Sequence, residues 1–118
     1  MARFLGSRTL LVDPTPGPLA ISEGLALAVG WLGCDLLVLI DVGGDVLAHG
    51  DEAGLWSPLC DAVMLAAAGH LAGRGIPVLA GVFAPGCDGE LTPDEVVERF
   101  AEVAAAGGFA GVRASHHR

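Results

Sequence analysis

The sequence predicts an α/β protein built on a parallel sheet, in the Rossmann-like or flavodoxin-like class. Short apolar runs rich in Val, Leu and Ile recur at "TLLVD", "LLVLIDV" and "PVLAGVFAP". Stretches with helical spacing alternate with them. The runs lack the polar alternation of a half-solvated strand, as expected for strands covered on both faces. A three-layer arrangement of three or four strands and about three helices follows, with residues 1–118 forming one domain or a fragment of one.

The first run stops at Asp13, before the turn-forming "PTPGP". Ile21, Leu25, Val29 and Leu32 then recur at helical spacing, with Gly33 placed to end the helix. "LLVLIDV" is the second strand. After a polar loop, "SPLCDAVMLAAAGHLAGRG" reads as a second helix, with Ser57 as its cap and Pro58 in its first turn. "PVLAGVFAP" is a third strand. In "TPDEVVERFAEVAAAGG", Thr92 and Glu95 have the spacing of a capping box. "FAGVRA" is a candidate last strand, and residues 114–118 are expected to fray.

The net charge of −8, with no lysine anywhere, excludes a basic surface for nucleic acid or anionic membrane. It also removes a P-loop lysine and a Schiff-base lysine. Cys34, Cys60 and Cys87 form no C-x-x-C pair, so a structural zinc site is not expected. The first residues lack the pattern of a signal peptide, and no apolar run reaches the ~18–20 residues of a membrane span. A cytoplasmic location is the resulting expectation. No dinucleotide fingerprint, Walker motif or nucleophile elbow occurs.

In open parallel sheets, ligands bind beyond the carboxyl ends of the strands. All three expected strands run into acid-bearing loops there: Asp13 after the first, Asp41, Asp45, Asp51 and Glu52 after the second, Asp88 and Glu90 after the third. "IDVGGDVLAHGDE" gathers four of these acids with His49 and holds no Lys or Arg. Asp41, where the strand meets the loop, is the leading candidate, and Gly43 and Gly44 would let a ligand come close. The competing reading is that Asp41 braces the glycine turn through backbone N–H groups. Asp41, Asp45 and Asp88 are candidate ligands for Mg, Ca or Mn. As catalytic groups, Asp41 and Asp45 would hold metal or act as base, with Glu52 and Asp88 assisting. Asp51, Ser57, Asp61 and Glu90 complete the candidate ligand contacts. Ser57 reads first as a helix cap, Asp61 as a partner of the helix dipole, and Asp88-Gly89 as turn chemistry. Cys87, with His49 as base, is a weaker candidate nucleophile, against the plainer reading of a buried thiol.

The combination D-V-G-G-D, G-D-E, S-P-L-x-D and P-G-C-D-G-E-L-T resembles the uncharacterised family known as domain of unknown function 1152. The resemblance runs from about Thr9 to near Arg113. It implies longer relatives with a glycine-rich "GGGGD"-type segment near their start, so that this chain matches a central portion. The first loop, "DPTPGP", departs from the Thr-Gly-Gly type of turn expected there. The motif positions are Asp41, Gly43, Gly44, Asp45, Asp51, Glu52, Ser57, Asp61, Asp88 and Glu90. The resemblance implies no reaction. Three readings stand: an acidic small-molecule-binding domain, with a divalent metal as its candidate cofactor; a truncated or split non-catalytic module that needs a partner chain; and a Cys87-dependent hydrolase or transferase. The candidate partners are a small-molecule ligand and either a second copy of the chain or a complementing chain.

Overall fold

Proline and capping groups set where the helices begin. In a computed structural model, which describes residues 6–56 and 58–113, α1 spans Pro18–Leu32, α2 Pro58–Gly73 and α3 Pro93–Ala105, each with proline first. Proline suits that position because its fixed φ is already helical and its missing N–H would have had no partner. Thr92 and Glu95 form the expected capping box: Thr92 Oγ1 accepts from Glu95 N at 3.3 Å, and Glu95 Oε2 accepts from Thr92 N at 2.8 Å. α1 closes through Gly33, with Cys34 N donating to Val29 O at 3.0 Å. Ser57, the expected cap of α2, lies outside the described residues, as does the 114–118 tail.

Two strands form, β1 at Leu37–Val42 and β2 at Val78–Phe83. Leu37 N donates to Pro77 O and Gly43 N to Phe83 O, both at 3.0 Å. The register advances equally on both chains, so the strands are parallel. The fold is thus mixed α/β, with three helices and a two-stranded parallel sheet among the described residues.

The expected outer strands do not form. Residues 9–13 and 109–113 have no regular secondary structure. A strand persists only when its backbone finds a ladder partner, and among the described residues neither segment has one. Leu10, Leu11 and Val12 lie along α1, where with Ile21, Leu25 and Trp31 they line an apolar cavity of about 450 Å³. Phe109 packs on Phe100 of α3, ring centroids 5.7 Å apart. β1 also alternates where a strand covered on both faces was expected: Leu37, Leu39 and Asp41 are half-buried, whereas Val38, Ile40 and Val42 are exposed.

The chain divides into two compact units. One comprises Met1–Leu39 and Leu59–Gly81, and its buried residues are Ile21 and Ser22 of α1 with Ala67, Ala68 and Leu71 of α2. The other comprises Ile40–Pro58 and Val82–Arg118, closed around Leu91 and Val96. Among the described residues, no helix is long and apolar enough to cross a membrane.

Candidate functional site

The second unit holds the carboxyl ends of both strands. Beyond β1 the chain turns through Gly43 and Gly44, both at φ 114, into a 3-10 turn over Asp45–Leu47. Beyond β2, Ala84 also adopts a left-handed φ, of 50. The two loops are tied together where Gly86 N donates to Gly43 O at 2.6 Å. The glycines are required sterically. A Cβ on Gly43 would collide with the Asp88 carboxylate, and one on Gly44 would come within 3.0 Å of the Val96 side chain on α3. The 3-10 turn packs against that helix.

This framework fixes Asp41 and Asp45. Asp41 Oδ2 accepts from Val46 N at 3.3 Å, so Asp41 does brace the turn, through one oxygen. Asp45 is 6 % exposed. Each of the two offers a carboxylate oxygen, and these lie within 4.8 Å of each other. That separation suits two carboxylates reaching one divalent cation. Asp88 sits against Gly43, with its Oδ1 accepting from Glu90 N at 3.1 Å. Glu90 Oε2 accepts from Trp56 N at 2.7 Å, tying the β2 loop to the segment before α2.

His49, Asp51 and Glu52 form a second group whose potential ligand atoms lie within 4.8 Å of one another. Their bonding points to loop fixation. Glu52 Oε1 accepts from His49 N and Oε2 from Gly50 N, each at 2.9 Å. Arg99 Nη2 approaches Glu52 Oε1 at 3.4 Å, while Arg99 Nη1 binds Glu102. His49 Nε2 meets Glu102 Oε2 at 2.8 Å. The N–H donated by His49 is the main reason that the Glu52 carboxyl falls from its ordinary 4.5 to about 2, aided by Gly50 and Arg99 and opposed by burial. The His49 bond likewise holds Glu102 below its usual range. The loop is thereby stitched to α3.

Of the sequence candidates, Asp41, Gly43, Gly44, Asp45, Asp88 and Glu90 share the loops at the strand ends, and Glu52 is committed to its own loop and to Arg99. Asp51 is exposed. Asp61 stands in the first turn of α2, in the other unit, and Ser57 lies outside the described residues. Cys87 is exposed rather than buried, and its proposed base, His49, has Nε2 bound to Glu102. Arg99 and Glu102 were not sequence candidates. Their i,i+3 spacing on α3 is that of an ordinary helix-surface pair and carries no hint of the loop they hold.

The model of a protein family of unknown function, DUF1152, matches residues 1–118. The chain belongs to this family. No curated protein and no solved structure matches it. Membership in DUF1152 covers the whole acidic loop and both strand ends.

Proposed function

We propose that this DUF1152 chain is a cytoplasmic, Rossmann-like small-molecule-binding domain whose acidic site, at the carboxyl edge of the parallel strands, takes a divalent cation. The observation that carries this reading is the Asp41–Asp45 pair, two carboxylates within 4.8 Å on a turn held in place by Gly43 and Gly44. A net charge of −8 draws cations towards the protein. In this reading Asp41 and Asp45 are the first ligands, Asp88 a third, and a polar small molecule completes the coordination. The three-layer form would cover the side of β1 that carries Val38, Ile40 and Val42.

Carboxylate oxygens alone suit Mg, Ca or Mn over the softer transition metals. Titration calorimetry with each cation tests the proposal. It predicts saturable binding of at least one, abolished in Asp41→Asn and in Asp45→Asn while Asp51→Asn still binds. No heat with any of the three, or binding unchanged in both variants, would refute it.

A further inference from the structure

Among the described residues, the first unit carries an apolar face that is left exposed. Helix α1 is apolar on nearly all sides, with Glu23 its one charged residue. A helix of that kind ordinarily lies inside a core. Here Leu27 is 77 % and Trp31 67 % exposed, and neighbouring Leu11, beside the cavity along α1, is 96 % exposed.

The ends of this face carry opposite charges. The Arg8 guanidinium lies over the Trp31 ring, 5.1 Å from its centroid, at the carboxyl end of α1. Asp13 precedes the turn that leads into the amino end, where Gly17 N donates to Pro14 O at 3.3 Å. Residues 8–13 therefore run back along α1. At about 3.3 Å per extended residue they span ~17 Å, which matches the ~20 Å of helix between Pro18 and Trp31 at 1.5 Å per residue. The result is an apolar stripe with a cation at one end and an anion at the other. Asp13 stays ionised, because the Thr15 N–H and hydroxyl both donate to its Oδ1, at 2.9 and 2.7 Å, and lower its pKa.

We propose that this face is the interface of a homodimer, in which two copies pack α1 against α1 antiparallel about a two-fold axis. The charge pattern selects a second copy as occupant. A two-fold axis through the middle of the stripe sets each Arg8 end against the Asp13 end of the partner copy, so one charge arrangement satisfies both ends at once. Leu11, Leu27 and Trp31 would form the dry centre and the charged ends a polar rim, the usual anatomy of a specific interface.

Sedimentation equilibrium of the full chain at low salt, over micromolar to several hundred micromolar, tests the proposal. It predicts a monomer–dimer equilibrium that saturates at the dimer. Leu27→Asp abolishes it, and Leu11→Asp, on a nearly fully exposed side chain outside any helix, does the same without disturbing the fold. Arg8→Glu weakens dimerisation at least fivefold. Asp13→Asn, which keeps an acceptor for Thr15, weakens it in the same direction, and added salt diminishes both charge effects. A monomer throughout, open-ended association, a dimer indifferent to Leu11→Asp, or a face filled only by a different protein would each overturn it.

Discussion

Glu52 Oε1 accepts the His49 N–H at 2.9 Å and lies 3.4 Å from Arg99 Nη2, so one carboxylate both shapes the acidic loop and fastens it to α3. Only the ionised form can do both. Because the folded pKa is depressed to about 2 from an ordinary 4.5, its contribution to stability is complete above about pH 4.5 and disappears as the pH falls towards 2. Urea unfolding followed from pH 7 to pH 2 should show an acid limb in that window, and Glu52→Gln should flatten it.

Arg99 joins Glu52 to Glu102, and its side chain is largely enclosed, whereas that of His49 is half exposed. Removing the guanidinium takes away the cation that Glu52 and Glu102 share. Arg99→Met should therefore lower Tm more than His49→Ala does. Amide hydrogen exchange at residues 49 and 50 should speed up in the Arg99 variant, since those N–H groups depend on a well-placed Glu52.

Gly43 meets two constraints, a left-handed φ and the Asp88 carboxylate where its Cβ would stand. Gly43→Ala should cost ~2 kcal/mol or more. Shortening the opposing side chain removes the collision but not the backbone strain. The double variant with Asp88→Ala should thus recover part of the loss, a non-additivity measurable by denaturant melts in a double-mutant cycle.

Ala84 ends β2 with φ of 50, a conformation that costs an L-residue roughly 1–2 kcal/mol. Glycine relieves that strain and loses more chain entropy on folding, so Ala84→Gly should change stability by less than ~1 kcal/mol. A β-branched side chain fits the left-handed region worst. Ala84→Val should destabilise clearly, and thermal melts of the two variants will separate them.

The helices were legible because their boundaries are written locally: Pro18, Pro58 and Pro93 mark starts, and Thr92 with Glu95 marks a cap. The paired strands were legible as continuous apolar runs. "TLLVD" and "FAGVRA" read as strands by the same signal, and the signal failed because apolar residues also pack beside a helix, as Leu10 and Val12 do along α1 and Phe109 on Phe100. Local pattern states what a segment will bury, and the partner decides its backbone. The acidic loop was visible as composition, including the alternative that Asp41 braces the turn. Which acids it spends internally was not visible, because Arg99 reaches Glu52 across 47 residues of sequence and no local spacing encodes that contact.

Manganese titration followed by NMR tests the central claim most directly, since a paramagnetic ion broadens the amide signals nearest to it. Substoichiometric Mn should selectively broaden the amides of residues 41–47 and 88, and Asp41→Asn should remove the effect. Broadening centred on His49, Asp51 and Glu52 and unchanged in Asp41→Asn, or spread evenly over the exposed acids, would contradict it.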